Sequence, residues 1–371
     1  MKDRTDQIQP RSTPTRSKFV GVITFFNYCN FGAALQSYGL AESLRKLGHR
    51  VEYIDYTCPF IARALSMNSL RKRGLVGLVY TAAGHFFYMP RTGLFAKFRN
   101  FIPHTPPVSP ATVAGYGGRY DTYITGSDQV WSTKLTDFDK TYFLDFVKPG
   151  HRKLSYAASF GGQTIDEDRR DEYVELLSDF DAMSVREDYG RDLVRDLTGR
   201  EAAITLDPTL LLTKEEWGAI AAPRQTKDPY VLVYQLGFSG RVVEAAKAVS
   251  RAHGLKVQYI PFPLGGVVPA RLHLRLGPPE WLALFRDADY IVTDSYHGII
   301  FSILFEKKFV VVAGGQHKNQ RVVSLLTWLG LTERIYDDAL PDIDAPIDYD
   351  AVKARLAEGR KASLDWLGEN V

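Results

Sequence analysis

The chain has 371 residues, 45% of them hydrophobic and 24% charged, the balance of a soluble globular protein long enough for two domains with separate cores. Its formal net charge of +3 is too small and too evenly spread to argue for nucleic acid, although a local arginine cluster serving a small anionic substrate would not show in that total. The two cysteines, Cys29 and Cys58, are too few for a disulfide framework and lack metal-ligand spacing, so they read as packing residues in a reducing, cytoplasmic setting.

Taken in order, Met1 to Ser17 is a polar segment with Pro10 and Pro14 and without the apolar core of a signal peptide, which reads as a disordered tail. Phe19 to Phe25 is a β-rich run, followed by the loop Asn27 to Gly32 and a helical pattern through Leu40, Leu44 and Leu47 that stops at Gly48. Val51 to Tyr56 is the next strand. The Asn30-Phe31-Gly32 loop therefore lies at the carboxyl end of a first parallel strand, where open α/β sheets bind ligands. Ile61 to Phe101 is helical in composition. Its basic knot Arg71-Lys72-Arg73 and apolar stretch Leu75 to Tyr88 read as a helical insertion, and are also the one local hint of peripheral membrane contact. No run reaches the roughly 20 apolar residues of a membrane span.

The strand Tyr120 to Thr125 runs into Gly126-Ser127-Asp128, where glycine allows a sharp turn that puts Ser127 and Asp128 on the ligand side of the sheet. Lys153 to Ala158 and Ala182 to Val185 are further strands. The second ends in Arg186-Glu187 before a helix over Asp188 to Leu197. Ser184 and Glu187 have capping-box spacing, which leaves Arg186 between them unexplained. Ala203 to Leu206 is closed by Asp207-Pro208-Thr209, Thr213 to Glu216 is a second capping box, and the polar stretch Ala221 to Pro229 is a linker.

The pattern then restarts. Tyr230 to Gln235 is a strand, Gly240 to Ala252 a helix, and Gly254 to Ile260 repeats the glycine and strand order of Gly48 to Ile54. Pro278-Pro279-Glu280 opens a helix, and Phe309 to Val312 is a later strand. The expected organisation is a tail (1–17), an N-terminal α/β domain (18–222), a C-terminal α/β domain (223–340) and a C-terminal helical segment (341–371). The fold class is α/β, with two Rossmann-like domains facing a cleft.

The most informative stretch is Ala288 to Phe305, a short apolar strand, the loop Asp294-Ser295-Tyr296-His297-Gly298 and an apolar helix. Unpaired amides and the positive end of the helix dipole favour an anion at such a junction, and His297 adds a group that titrates near neutral pH. Arg186 and Asp128, at the ends of other strands, are the next candidates, followed by Asn30, Phe31 and Gly32. The chain has no G-x-G-x-x-G, P-loop, H-E-x-x-H, C-x-x-C or G-x-S-x-G, so dinucleotide, P-loop, zinc hydrolase and serine hydrolase readings have no support.

The ordered series Asn30 to Gln36, Gly126 to Trp131, Ser155 to Gly161, Ser184 to Glu187, Asp207 to Leu211 and Asp294 to Gly298 resembles the polysaccharide pyruvyl transferase family over about residues 20 to 335. The resemblance implies a fold similar to the GT-B glycosyltransferases. It also implies transfer of the pyruvyl unit of phosphoenolpyruvate to two hydroxyls of one sugar, as a cyclic ketal, with release of phosphate and no metal or other cofactor. The family's His then falls on His297, its Arg on Arg186 and its acidic residue on Asp128. Ser295 and Gly298 would hold the donor phosphate, while Asn30, Phe31, Gly32 and Ser127 would face the acceptor. Some relatives carry Arg two positions before the His, where this chain has Ser295, so Lys318 and Arg321 are expected to supply that charge. The implied partners are phosphoenolpyruvate and a saccharide acceptor, and a lipid-linked acceptor would place the chain at the inner face of the cytoplasmic membrane. Two rivals stay open at this point. A GT-B glycosyltransferase would turn over a nucleotide sugar, and a non-catalytic glycan-binding protein would release no phosphate from any donor.

Overall fold

The structure, a computed structural model, describes residues 17–64, 89–162, 164–236, 239–260, 270–312, 320–337 and 339–371. The leading tail, the basic and apolar segment from Arg71 to Tyr88, and Lys318 lie outside these residues. The β-branched runs become strands. β1 (Phe19–Ile23), β2 (Arg50–Tyr53), β3 (Thr122–Thr125), β4 (Arg152–Ala158), β5 (Ala182–Val185) and β6 (Ala203–Ile204) form one sheet in the order β2-β1-β3-β4-β5-β6. β7 (Tyr230–Tyr234), β8 (Lys256–Ile260), β9 (Arg271–Leu272), β10 (Tyr290–Thr293), β11 (Lys308–Val312) and β12 (Ile335–Tyr336) form the other, in the order β12-β11-β10-β7-β8-β9.

Every strand pair is parallel, with Val20 opposite both Val51 and Thr122, and Ile291 opposite both Leu232 and Phe309. Parallel strands covered on both faces need continuous apolar runs, and β7 is buried at every residue. Strand order reverses beside β1 in one sheet and beside β7 in the other, which sets a ligand crevice at the carboxyl ends of β1 and β3 and of β7 and β10. These are the two expected Rossmann-like domains. Gly48 and Gly254 end the helix after the first strand of each domain in the left-handed region, at φ +89° and +64°, where a side chain would be strained.

The helix α1 (Phe31–Lys46) joins the two halves. Asn30 caps it by accepting a 3.1 Å hydrogen bond from the Ala33 amide. Leu40, Ala41 and Leu44 pack with Val20, Val22 and Ile124 of its own sheet, whereas Phe31, Ala34 and Leu35 belong to a core shared with Tyr234, Trp281, Ile300 and Phe301 of the second domain. The Phe31 and Trp281 rings stack at 5.5 Å and 18°. Trp217 closes the other end, with its ring 5.2 Å from Phe301 and its Nε1 donating to the Thr209 carbonyl.

The C-terminal helix Tyr349–Asn370 returns to the first domain. Leu367 and Val371 enter its core, Val352 and Leu356 enter the shared one, and Ser363 Oγ accepts from the Leu206 amide at 3.0 Å. Replacing Phe31 by Ala removes a ring from the centre of the shared core and is expected to cost about 3–5 kcal/mol. A lowered urea midpoint, with both halves unfolding in one transition, is the outcome that checks it.

Candidate functional site

Asp207 follows β6 and opens the 3-10 turn Pro208–Leu210. Its Oδ1 accepts from the Thr209 amide at 3.0 Å and the Thr209 hydroxyl at 2.7 Å. Oδ2 accepts from Ser127 Oγ at 3.1 Å and Arg186 Nη1 at 2.9 Å, and lies 3.5 Å from His297 Nε2. The carboxylate thus ties three segments of the first domain to the His297 helix of the second. Burial alone would raise the Asp207 pKa, yet His297, Arg186 and the Thr209 hydroxyl together hold it well below the usual carboxylate range.

Arg186 follows directly on β5, and its side chain is 1% exposed. Nη1 is taken by Asp207, Nε lies 3.6 Å from Glu187 Oε2, and neither Nε nor Nη2 has a hydrogen-bond partner among the described residues. Burial opposes its charge, but Tyr296, Asp207 and Glu187 more than offset this and raise its pKa. The guanidinium sits 4.7 Å from the Tyr296 ring centroid, and that of Arg321 is 5.4 Å from the same centroid. Burial, followed by repulsion from Arg186, lowers the Arg321 pKa.

The sequence expectation for Ser184 and Glu187 is corrected here. Ser184 lies inside β5, where its hydroxyl donates to the Ser155 carbonyl and accepts from the Ala157 amide, so it cannot cap the next helix. Glu187 is itself the N-cap residue, but its side chain makes no capping bond and instead accepts from Ser159 Oγ at 2.6 Å. Sharp backbone after β3 falls on Asp128, at φ +83°, instead of on Gly126. Asp128 Oδ1 accepts from the Gln129 amide, and its charge is felt by both Arg186 and Arg321.

His297 is the second residue of the helix Tyr296–Leu304, which follows β10. It packs on Gly32 so closely that a Cβ there would stand 2.1 Å from Nδ1. Gly32 therefore gives room to the imidazole, Phe31 is buried against Trp281, Asn30 caps α1, and Ser127 binds Asp207. Each residue expected to face an acceptor has a structural task. The expected phosphate ligands behave similarly. Ser295 is the N-cap and accepts from the Gly298 amide at 3.3 Å, while Gly298 is pressed on β10, where a Cβ would come within 2.4 Å of Thr293 Oγ1.

A cleft of about 1460 Å³ opens beside this cluster, and its wall includes Arg186, Glu187, Asp207, Tyr296 and Arg321. His297, 9% exposed, borders the cluster through Asp207. Among the described residues no group of His, Cys, Asp and Glu is placed to hold a metal ion, and no helix is long and apolar enough to cross a membrane. Asp207 and Tyr296 were not singled out as site residues from sequence. The signal for both was present, because Asp207-Pro208-Thr209 and Asp294 to Gly298 belong to the series of motifs that carries the resemblance.

Asp207→Asn removes the one of the two carboxylates beside buried Arg186 that hydrogen-bonds it, and is expected to destabilise the fold by about 3–5 kcal/mol at neutral pH. The depressed folded-state pKa means that this contribution is complete above the unfolded value of about 3.9 and is lost as pH falls through the folded value. The gap between the urea midpoints of wild type and Asp207→Asn should therefore be constant above about pH 4 and narrow progressively as the pH falls below it.

Comparison with known proteins agrees with this architecture. Arabidopsis thaliana UGT89C1 complexed with UDP-L-rhamnose aligns over 95% of this chain and 99% of its own, with a TM-score of 0.51 at 11% identity. The UDP-GlcNAc 2-epimerase of Methanocaldococcus jannaschii aligns over 94% and 92%, with a TM-score of 0.48 at 10% identity. At such identities the likeness concerns the fold alone, two Rossmann-like domains arranged as in GT-B proteins. No curated protein matches the chain in sequence. The model of the polysaccharide pyruvyl transferase family matches residues 30–316, which hold Asp128, Arg186, Asp207 and His297, and the chain belongs to that family.

Proposed function

We propose that the protein moves the pyruvyl group of phosphoenolpyruvate onto two hydroxyls of one sugar, in a polysaccharide or its lipid-linked precursor, and releases phosphate. The observation that supports it most is the cluster around Asp207, with partners from both domains and with Arg186 Nε and Nη2 free of hydrogen bonds among the described residues, beside the cleft. A buried guanidinium with spare donors is suited to a carboxylate or phosphate, which a planar fork binds better than an ammonium does. Arg321, on the same Tyr296 ring, supplies a second cation that Ser295 cannot.

The chemistry follows from the donor. Phosphoenolpyruvate is an enol ether of phosphate, so its oxygen-bearing carbon becomes electrophilic when a proton adds to the methylene carbon. His297 is the proton donor in this reading, oriented by Asp207. A sugar hydroxyl attacks the electrophilic carbon and gives its proton to Asp128. The bond from that carbon to the phosphate oxygen then breaks, and the second hydroxyl closes the ketal. One proton is gained by the methylene and two are lost by the hydroxyls, so the surplus proton leaves on phosphate.

Incubation with phosphoenolpyruvate and a panel of galactosides, glucosides and mannosides should yield phosphate and a product carrying a pyruvyl ketal. His297→Ala is expected to lower turnover about 10²–10⁴-fold, and Arg186→Lys to raise KM for phosphoenolpyruvate. Turnover of both variants within a few-fold of wild type would falsify these roles. A nucleotide sugar consumed while phosphoenolpyruvate stays inert would transfer the assignment to a glycosyltransferase. Gly32→Ala tests the geometry from the other domain. Its methyl group displaces the imidazole from Asp207, so turnover should fall with that of His297→Ala while the far-ultraviolet circular dichroism stays that of wild type.

A further inference from the structure

The cleft is larger than a three-carbon donor needs, since pockets for small ligands usually enclose about 300–1,000 Å³. Its excess volume runs along the helix Gln320–Leu329. Arg321, Ser324 and Trp328 stand at i, i+3 and i+7 on that helix, so they share one face, and the rise per residue sets Arg321 and Trp328 about 10 Å apart along the axis. All three line the cleft. Arg321 belongs to the anion cluster at the inner end, whereas Trp328 marks the outer end.

Trp328 is held in place while keeping a free surface. Its indole edge rests on Gly359 of the C-terminal helix, where a Cβ would stand 2.9 Å away, and its carbonyl accepts from Arg355 Nη1 at 3.2 Å. The residue is nevertheless 38% exposed, in contrast to the fully buried Trp131, Trp217 and Trp281. Ile204, 45% exposed, lines the same cleft from the first domain. Apart from the cluster of Arg186, Asp207 and Arg321, the charged groups of the wall are Glu187, Asp188, Asp192 and Asp337, with Arg241 as the cation. Such a wall disfavours a second anion or a nucleotide diphosphate, and favours a neutral ligand that offers both hydroxyl donors and an apolar face. Pyranose rings have that character, because their C–H face lies flat on an aromatic ring while their hydroxyls donate to carboxylates.

We infer that Trp328 is a stacking platform for the acceptor glycan, bound as a chain whose reacting sugar meets the Arg186 and Arg321 end and whose next units lie along the helix to the indole. This rests on the pyruvyl transfer reading for the identity of the reacting sugar, but the platform itself binds saccharide without any donor. Recognition by more than one sugar unit is the consequence.

The test uses the full chain, with tetrasaccharides of galactose, glucose and mannose and the corresponding methyl glycosides as probes. Binding is followed by tryptophan fluorescence in wild type, Trp328→Ala and Trp328→Phe, and turnover by phosphate release from phosphoenolpyruvate. Expected are quenching by a tetrasaccharide that is lost in both variants, and a KM for that acceptor raised about three- to tenfold in Trp328→Ala. Trp328→Phe, which keeps a ring, should recover most of that KM, with KM for phosphoenolpyruvate and turnover of the methyl glycoside unchanged. Equal tetrasaccharide KM in wild type and Trp328→Ala overturns the platform and leaves the reaction standing. Quenching at Trp328 without phosphate release under any condition does the reverse. If no tetrasaccharide perturbs the wild-type fluorescence or turns over better than its methyl glycoside, the inference is wrong.

Discussion

A carboxylate that is 1% exposed sets the terms on which the two domains meet. Taking Asp207 out of water costs several kcal/mol unless every lone pair finds a donor. Its partners come from four places: hydrogen bonds from the turn after β3, the end of β5 and the turn at Thr209, and a 3.5 Å contact from His297 on the helix after β10. Three of them are fixed by the first sheet. The fourth, His297, is delivered only if the second domain sits in one orientation, which the Phe31 and Trp281 stack and the Trp217 contacts provide. The apolar core and the polar cluster thus fix the same relative placement, one by area and one by charge.

The second constraint is repulsion. Arg186, buried, and Arg321, half-buried, lie near one Tyr296 ring, and each is charged at the pH of a cell. Arg186 is offset by Asp207 and Glu187, whereas Arg321 makes no ion pair among the described residues. Burial, and after it repulsion from Arg186, lowers its pKa. An anion bound between the two guanidiniums lowers the energy of both, and this differs in kind from a lysine patch on a surface, where solvent already screens the charge. Asp128 lies within the same field, held at positive φ by surrounding structure, and strained backbone of this sort persists where neighbouring contacts over-determine it.

Much of this could be read from the chain. Strands such as Ala182 to Val185 and Tyr230 to Tyr234 are parallel strands buried at nearly every residue, so their ends are sharp. Arg186 stood out because it follows such a strand directly, and His297 because it lies just beyond another, at the start of the next helix. Residues with two tasks were harder to read. Asp207-Pro208-Thr209 looks like a turn and is one, since Oδ1 caps Thr209, and only the fold shows that Oδ2 carries the site. Asn30, Phe31 and Gly32 follow β1 as expected, yet they serve the cap, the shared core and the room for the imidazole. Strands of two residues, β9 and β12, carry too little pattern to be seen. The return of the C-terminal helix depends on contacts with Leu206 and Thr122, more than 150 positions away in sequence.

The two sides of the interface differ in what they allow. A hinge that parted α1 from the second domain would expose Phe31, Trp281 and Phe301, at about 2–3 kcal/mol for each large apolar side chain. It would also pull His297 from Asp207 and leave a buried carboxylate short of a donor. On the cleft side, the helix Asp188–Thr198 meets the helix Gln320–Leu329 through a hydrogen bond from Ser324 Oγ to Asp188, and both groups are exposed. Such a bond is worth about 1 kcal/mol net, and water replaces it readily. Substrate entry by way of Ser324 and Asp188 therefore leaves the shared core and the Asp207 cluster intact. In the proposed reading that direction is the one in which Trp328 and Arg321 share a helix face, so a glycan would pass the indole before it reached the Arg186 and Arg321 end.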